Sequence, residues 1–292
     1  MYVHHLLPLG THGTKLVSTF SHAQVNPKKE FKELHTNGIS DTYSLAVQQR
    51  RFRTDRYASN VQVGFDFKDK RTKILSQTTA WDRERVLSFR HDIQGRDRMG
   101  GWSIGQGLFL GMSPRGNGYP LASRGGAHNF FKYTFSLARV QKMPKNTKAI
   151  ITVDGQVTAN RLLPQEQMFL GGARSVRGYP ESDYGADRAI QTRVEYWVPS
   201  YFFPADWKTP YDQAPLREQF QILGFLDDAY GWVVDPTSSE SHYRHLLGTG
   251  IGLDWKFIKY FSARWEWGFA LGGHPITEHG KHQMHFSIRA DY

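Results

Sequence analysis

The sequence predicts an all-β protein, specifically a transmembrane antiparallel β-barrel, and three observations support this fold class. About thirteen segments along the 292 residues alternate apolar and polar residues, which is the period of a strand with one polar face. Many of these segments are near the roughly 9–11 residues that a tilted membrane-crossing strand needs. No apolar run of roughly 18 residues occurs, which excludes a transmembrane helix but not a barrel, because barrel strands alternate.

The alternation identifies strands in order along the chain. Apolar and polar residues alternate over 39–48 and 60–68, and again over 147–160. Toward the end of the chain they do so over 190–198, 247–256 and 261–269. No segment of ten or more residues fits a helical spacing better, and the connecting segments are rich in Gly, Pro, Asn and charge, which is typical of strand connectors.

Alternation alone does not reveal which face of a sheet meets water. A soluble sandwich buries its apolar rows between two sheets, whereas a membrane barrel turns them to lipid and its polar rows into a wet lumen. The barrel is favoured because charged residues lie mid-strand in the polar rows, and because the last strand carries Phe286 and ends on Tyr292, a terminal strand signal. Several strands also carry tryptophans that suit the headgroup level of a membrane, namely Trp197, Trp255, Trp265 and Trp267.

The composition excludes several kinds of site. Cysteine is absent, which excludes disulfides, thiolate zinc sites, iron–sulfur clusters and cysteine nucleophiles. The chain has many Ser and 13 His, but no Gly-x-Ser-x-Gly elbow occurs. The pairs His4–His5 and His242–His245 have spacings that suit a metal, but no carboxylate cluster accompanies them. We therefore expect no catalytic residue, no metal site and no cofactor.

The net charge of +10 and the basic run from Arg50 to Arg56 raise the question of nucleic-acid binding. Such binders usually present basic stripes interleaved with aromatics on one face. Here the run lies at the end of a predicted strand, where Lys and Arg can meet anionic lipid headgroups. We expect outer-membrane lipid, and no nucleic acid, as a partner.

One long segment, 161–187, breaks the alternation. Loops of this length in a compact protein are usually functional or disordered. Disorder is disfavoured here because the segment is rich in apolar residues, and Gly171, Gly172 and Gly178 suit tight bends. An ordered loop of this kind must pack its apolar residues, which are Met168, Phe169, Leu170, Val176 and Tyr179.

The run LPQEQMFLGGARSVRGYPESDYGAD in this loop resembles the signature of the outer-membrane superfamily that contains the BamA insertases and the two-partner-secretion transporters. The tetrad of the signature is Val176, Arg177, Gly178 and Tyr179. The lead EQMFLGG over 166–172 is most similar to the ShlB/FhaC/HecB branch of haemolysin secretion/activation proteins. The resemblance implies a sixteen-stranded barrel in the outer membrane of a Gram-negative bacterium, with this sixth extracellular loop folded back into the lumen.

A second motif of that superfamily, Phe-x-Asp-x-Gly, corresponds to Phe225, Asp227 and Ala229, where alanine replaces the usual glycine. The alternation places Asp227 on the inward, polar face of its strand. Arginine can bind a carboxylate through two parallel hydrogen bonds. We therefore expect Arg177 to tether the loop to Asp227, with Glu195 as a second acceptor.

Strand counting gives five strands after the loop, as the superfamily has, beginning near Arg188, Arg217, Leu246, Tyr260 and Gln283. About eight strands precede the loop where the family has eleven, although bacterial single-chain barrels have even strand numbers. We interpret residues 1–292 as the C-terminal barrel domain, with 161–187 as its lumenal loop. We expect missing N-terminal material, including POTRA domains, in a full-length form.

The resemblance implies that the protein exports an unfolded secreted client polypeptide, such as a haemolysin- or adhesin-like protein, without nucleotide hydrolysis. An alternative within the superfamily is a BamA-like factor that assembles other barrels in the outer membrane. A diffusion porin is a less favoured alternative, because it shares every feature except the apolar loop with its Arg-Gly-Tyr.

Overall fold

Long strands make up most of the chain. The computed structural model describes residues 1–25, 37–75, 77–112, 123–124, 129–204, 206–209, 213, 215–258, 261–273 and 281–290. Within these residues, thirteen strands form one antiparallel sheet, which confirms the predicted class and strand count. They are β1 (Tyr2–Leu9), β2 (Thr14–Val25), β3 (Asn37–Arg53), β4 (Tyr57–Ile74), β5 (Gln77–Asp97), β6 (Gly100–Met112), β7 (Asn129–Lys142), β8 (Lys148–Thr158), β11 (Arg188–Pro199), β12 (Phe220–Trp232), β13 (Tyr243–Ile258), β14 (Phe261–Ala270) and β15 (His282–Ala290).

The order of the strands in the sheet follows the chain. The sequence leaves the sheet after β8 and rejoins it at β11, so in the part of the chain that the structure describes eight strands precede the loop and five follow it, as predicted. The intervening segment forms a separate two-stranded ribbon from β9 (Met168–Leu170) and β10 (Tyr184–Ala186). The alternation did not reveal this ribbon, because its strands are only three residues long.

The predicted start of a strand near Arg217 is wrong by a few residues. A short helix, α1 (Leu216–Gln219), precedes β12, which begins at Phe220. Pro215 lies just before α1 with a φ of −58°. That fixed angle suits the start of a helical turn, and the missing N–H of proline cannot join a strand ladder.

The described residues fall into two compact units. The first comprises Met1–Gly95, Ile104–Phe135 and Gln156–Gln167. The second comprises Arg96–Ser103, Ser136–Gly155 and Met168–Tyr292. Each unit contains part of the loop 161–187, residues 161–167 in the first and 168–187 in the second.

Burial in both units is the reverse of that in a soluble sheet. In the first unit, Asp66 and Glu84 are buried while Phe67 and Leu87, on the other face of the same strands, are exposed. The second unit likewise buries Asp227 and exposes its neighbour Leu226. We call the two sides the polar face and the apolar face. Strands with this inverted pattern are typical of a barrel that turns its apolar face to lipid.

One of the four tryptophans expected at the headgroup level lies elsewhere. Trp197 is buried on the polar face, where its indole Nε1 donates a hydrogen bond to Glu195 Oε2 at 2.9 Å. The Lys148 ammonium and the Arg264 guanidinium lie over its ring at 4.2 and 5.0 Å from the centroid. The prediction failed for Trp197 because this residue belongs to the polar row of β11, where cations cover its ring.

The end of the chain forms β15, which pairs with β14 so that Phe286 lies opposite Trp265. Phe286 is exposed on this strand. Tyr292, the other residue of the terminal strand signal, lies outside the described residues. Among the residues that are described, no helix combines the length and apolar character needed to cross a membrane.

Candidate functional site

The second part of the loop, from Met168 onward, packs its apolar residues against the sheet. Leu170, Val176 and Tyr179 are buried, and Met168 packs against the cluster they form. Phe169 is exposed, so the expectation that every apolar residue of the loop is packed fails for this residue. The same cluster includes the loop residues Tyr184 and Ala186 and the sheet residues Ala189, Ala229, Leu246 and Ala270.

Arg177 is among the largest side chains that the second unit buries completely, with 1% of its surface exposed. Its Nε donates to Asp227 Oδ2 at 2.7 Å, and its Nη2 donates to Asp227 Oδ1 at 2.6 Å. The backbone N–H of Arg177 donates to Oδ2 as well, at 3.0 Å. The structure thus brings Arg177 and Asp227 together as a two-pronged pair, the geometry in which arginine binds a carboxylate most specifically.

Two further carboxylates share the remaining terminal nitrogen of Arg177. Nη1 donates to Glu195 Oε1 at 2.6 Å and to Glu266 Oε1 at 2.5 Å. Arg264 Nη2 bridges the same two oxygens at 2.9 and 2.8 Å. We call Arg177, Asp227, Glu195, Glu266 and Arg264 the arginine cluster. Its three carboxylates face two guanidiniums, so it carries a net charge of about −1 when all groups are ionised.

Glu266 was not among the residues selected from the sequence. It lies on β14 beside Arg264 in the polar row, so the alternation contained a signal for its inward direction. That signal did not identify Glu266 as a partner of Arg177, because the two residues are 89 positions apart. Their contact depends on the path of the loop.

Phe225 and Ala229, the other two members of the second motif, also contact this part of the loop or its cluster. The guanidinium carbon of Arg177 lies 3.6 Å from the centroid of the Phe225 ring, a close cation–π contact. Ala229 is fully buried within the apolar cluster. The alanine that replaces the usual glycine is therefore accommodated as a small apolar contact.

Glycines on two neighbouring strands allow the loop backbone to lie directly on the polar face. A Cβ at Gly248 on β13 would lie 2.1 Å from the backbone oxygen of Arg177. One at Gly268 on β14 would lie 2.6 Å from the backbone nitrogen of Gly178. Gly178 itself has a φ of +103°, which favours glycine. Any side chain at Gly248 or Gly268 would displace the backbone of the Val-Arg-Gly-Tyr tetrad.

The charge of Arg177 is fixed by its surroundings. Burial by itself would lower the pKa of the guanidinium, but the hydrogen bonds and the negative charge of Asp227, with Glu195 and Glu266, raise the pKa above its ordinary value. Arg177 therefore stays ionised at every pH at which the protein is folded.

A second charged cluster, which the sequence analysis did not anticipate, lies in the first unit and involves Glu166. Both carboxylate oxygens of this buried residue meet lysines of the sheet. Lys68 on β4 contacts Oε1, and Lys132 on β7 contacts Oε2 at 2.9 Å. Gln165, the preceding residue, donates to the buried carboxylate of Glu84. We call Glu166, Lys68, Lys132 and Glu84 the glutamate cluster.

The backbone around Glu166 is held as firmly as its side chain. Its carbonyl oxygen accepts hydrogen bonds from Lys132 Nζ at 2.9 Å and Gln156 Nε2 at 3.1 Å. The carbonyl of Leu162 accepts one from Arg124 Nη1 at 2.7 Å. Burial would raise the pKa of Glu166, but the charges of Lys132 and Lys68 lower the pKa below its ordinary value. Glu166 is therefore ionised at neutral pH.

Two of the four histidines considered as metal ligands have other side-chain contacts. His4 Nδ1 lies 3.2 Å from the Thr19 hydroxyl. His245 Nε2 lies 2.6 Å from Asp228 Oδ1, and its ring stacks on Tyr230. Within the described ranges, no group of three histidine or carboxylate side chains is arranged to hold a metal ion.

Comparison with known proteins gives a family match over most of the chain. The model of the family described as "Haemolysin secretion/activation protein ShlB/FhaC/HecB" matches residues 1–255. No curated protein matches the chain by sequence.

Solved structures resemble the fold. CdiB from Escherichia coli has a TM-score of 0.71 at 16% identity, and the match covers 98% of this chain and 51% of that one. CdiB from Acinetobacter baumannii has a TM-score of 0.69 at 18% identity, and the match covers 100% of this chain and 50% of that one. BamA from Haemophilus ducreyi lacking POTRA domains 1-3 has a TM-score of 0.68 at 10% identity, and the match covers 99% of this chain and 61% of that one. The chain therefore spans about half the length of the CdiB structures.

Proposed function

Because the chain belongs to the ShlB/FhaC/HecB family of haemolysin secretion/activation proteins, which are outer-membrane β-barrels of Gram-negative bacteria, we propose that it is the barrel of a two-partner-secretion transporter. Its client is an unfolded secreted polypeptide of haemolysin or adhesin type, which crosses the outer membrane through the polar interior of the barrel. The same proposal assigns residues 161–187 to a lumenal loop that controls this path. Transport needs no nucleotide and no cofactor.

The arginine cluster is the observation that carries the proposal. A loop held on the polar face by a buried arginine, with its backbone lying on glycines, occupies space that a passing polypeptide would need. Removing one partner of a buried ion pair costs about 3–5 kcal/mol, because the other charge is left uncompensated. The docked loop is therefore a stable state, and export requires a client able to shift it.

The glutamate cluster gives the same loop a second attachment near its start. Glu166 and Gln165 bond to residues of the sheet in the first unit, and Leu162 accepts a hydrogen bond from Arg124 of the same unit, which lies outside the strands. In our proposal this attachment keeps residues 161–167 in place while the segment around Arg177 moves. The moving part is then Met168–Asp187, which contains the Val-Arg-Gly-Tyr tetrad.

Export by two glycine variants tests whether loop docking matters. Gly268→Ala places a Cβ against the backbone of Gly178, whereas Gly224→Ala adds the same methyl group to β12 where no atom lies within 4 Å. Both would be made in the full gene product and expressed with the secreted protein encoded by the neighbouring gene. We expect Gly268→Ala to reduce the amount of client in the medium and Gly224→Ala to leave it unchanged, at equal levels of folded barrel. Equal export by both variants would contradict the proposal.

Deleting Arg177–Tyr179 separates the transporter from the two alternatives. A transporter loses export, whereas a porin keeps its small-solute conductance in a planar bilayer and has no client to lose. A barrel-assembly factor instead lowers the amount of other barrels in the outer membrane. The gene upstream of Met1 gives an independent test, since the resemblance associates two POTRA domains with secretion and five with assembly.

A further inference from the structure

The apolar face of β4 and β5 changes character along its length. Paired residues across the two strands run from Val63 opposite Phe89 to Phe65 opposite Leu87. The next pairs on the same face are Phe67 opposite Arg85, Asp69 opposite Arg83 and Arg71 opposite Trp81. Within a few residues, an apolar surface becomes one with three arginines and a tryptophan. This boundary lies toward the ends of the strands at Ile74 and Gln77.

The arginines and the tryptophan are held in a fixed arrangement around Asp69. Arg71 Nε and Trp81 Nε1 donate to Asp69 Oδ1 at 3.1 and 2.9 Å, and Arg83 Nε donates to Oδ2 at 2.9 Å. The guanidinium carbons of Arg71 and Arg83 lie 4.4 and 4.0 Å from the centroid of the Trp81 ring. Neither arginine is therefore a freely moving surface side chain.

This arrangement leaves positive charge and hydrogen-bond donors unused. Within the described ranges, Arg71 and Arg83 make side-chain hydrogen bonds only through Nε, so the terminal nitrogens of both remain available. Arg85 lies beside them with its guanidinium over the Phe67 ring at 4.9 Å, and its Nη1 donates to the backbone oxygen of Glu84 at 2.8 Å. The carboxylate of Asp69 pairs with two guanidiniums, those of Arg71 and Arg83, and Arg85 adds a third positive charge on the same face. The excess of positive charge lies at the edge of a surface that faces lipid.

The lengths of the connections indicate which side of the membrane this edge faces. At the end of the sheet where β4 passes to β5, the neighbouring connections span 26–36 and 113–128. At the opposite end, the connections span only 10–13 and 54–56. Outer-membrane barrels have short periplasmic turns and longer extracellular loops. The arginine edge therefore lies at the outer leaflet.

We propose that Arg71, Arg83 and Arg85 form a binding site for the phosphate groups of lipid A, the anionic lipid of the outer leaflet. A guanidinium binds phosphate oxygens through paired N–H donors, and Arg71 and Arg83 are already oriented by Asp69 and Trp81. An indole at this level suits the membrane interface. The acyl chains of the lipid then lie along Phe67, Leu87 and the apolar pairs beyond them. This site is separate from the loop and does not depend on the transport proposal.

Binding of lipid A to the purified full-length gene product in detergent tests the site. Native mass spectrometry would follow titration with lipid A, with lipid A lacking its phosphates, and with phosphatidylglycerol. We expect the double variant Arg71→Gln, Arg83→Gln to bind lipid A about tenfold more weakly or worse, since it loses charge-assisted hydrogen bonds. The matched control, Lys142→Gln with Lys145→Gln, removes equal charge from exposed residues at the end of β7 and in the connection to β8. It should leave the affinity unchanged.

Three results would overturn the assignment. They are an unchanged affinity in the Arg71, Arg83 double variant, an equal loss in the control variant, and equal affinity for phosphatidylglycerol or dephosphorylated lipid A. If the double variant does not fold, the single variant Arg71→Gln provides the test, because this side chain is nearly half exposed. An unchanged affinity in that folded variant would also overturn the site.

Discussion

The two attachments of the loop use opposite charges and different chemistry. In the arginine cluster, one cation of the loop meets three carboxylates of the sheet, and its planar group has a partner on each of its nitrogens. In the glutamate cluster, one anion of the loop meets two lysines. A guanidinium demands defined directions from its partners, whereas an ammonium is a compact point charge on a flexible stem. The arginine cluster thus fixes the direction of its segment of the loop, whereas the glutamate cluster holds residues 161–167 with fewer directional demands on its side-chain ion pairs.

The largest effect is expected for Arg177→Ala, which leaves Asp227, Glu195 and Glu266 without their central cation. The docked loop should lose about 3–5 kcal/mol, the cost of breaking a buried pair. Hydrogen exchange over 168–187 in the full-length protein would measure the lost protection, and client in the medium would measure the loss of export. Asp227→Ala should have a similar effect, and the two substitutions combined should be non-additive. Additive losses would mean that the two residues are not energetic partners.

A pair of conservative exchanges should separate the two clusters. Arg177→Lys keeps the charge but cannot supply the fork that meets both oxygens of Asp227, and we expect the docked loop to lose about 1.5–3 kcal/mol. Lys68→Arg, at the partly accessible lysine of the glutamate cluster, should be tolerated. The temperature of barrel unfolding on semi-native electrophoresis measures both. Equal losses in the two variants would remove the distinction between a directional and a non-directional attachment.

Glu166→Gln should weaken the start of the loop by a smaller amount, about 1–3 kcal/mol, because the amide still accepts hydrogen bonds while the lysines lose their counter-charge. Hydrogen exchange over 161–167 would measure it, with 168–187 as the internal control. If protection were lost only over 168–187, Glu166 would not be the residue that holds the start of the loop, 161–167.

The contribution of Glu166 should depend on acid pH in one direction. Its pKa is lower in the folded protein than the ordinary 4.5, so the unfolded state binds the proton first as the pH falls. The stability that Glu166 supplies is therefore complete above pH 4.5 and disappears as the pH drops through the folded pKa. The difference in unfolding temperature between the natural protein and Glu166→Gln should shrink as the pH falls below 4.5. If the difference grew in acid, the pKa of Glu166 would be higher in the folded protein than in the unfolded one, contrary to this prediction.

The smallest effect is expected for Ala229→Gly, which restores the usual residue of the second motif. Glycine in a strand loses more conformational entropy on folding than alanine, by roughly 0.5–1 kcal/mol. The substitution also removes a methyl group from the apolar cluster. We expect slightly lower stability and unchanged export, measured by the same two assays. A gain in stability would mean that the methyl group strains its surroundings.

Sequence patterns predicted the fold more completely than the clusters. Alternation is local, so it placed Asp227 and Glu195 on the polar face and gave the correct number of strands. The contact between Arg177 and Asp227 was expected because both residues stand in recognisable motifs. Glu266, Lys68 and Lys132 stand in no motif, and their contacts with the loop depend on strand register and on the loop path, which a one-dimensional pattern does not contain. Trp197 was misplaced because residue type was given more weight than its position in the polar row.

The absence of side chains at Gly248 and Gly268 on the polar face limits which substitutions this protein can accept. At most positions of a barrel interior, some exchanges improve the fit and others impair it. At Gly248 and Gly268 the loop fits only because glycine has no Cβ. Each of the other amino acids would place a Cβ where the backbone of Arg177 or Gly178 already lies. In a library covering every position of the polar face, these two sites should tolerate no replacement. The frequencies of variants at these two positions in the selected library would then show whether the barrel keeps its loop docked. Replacements that survive selection would indicate that the loop does not lie on the two glycines.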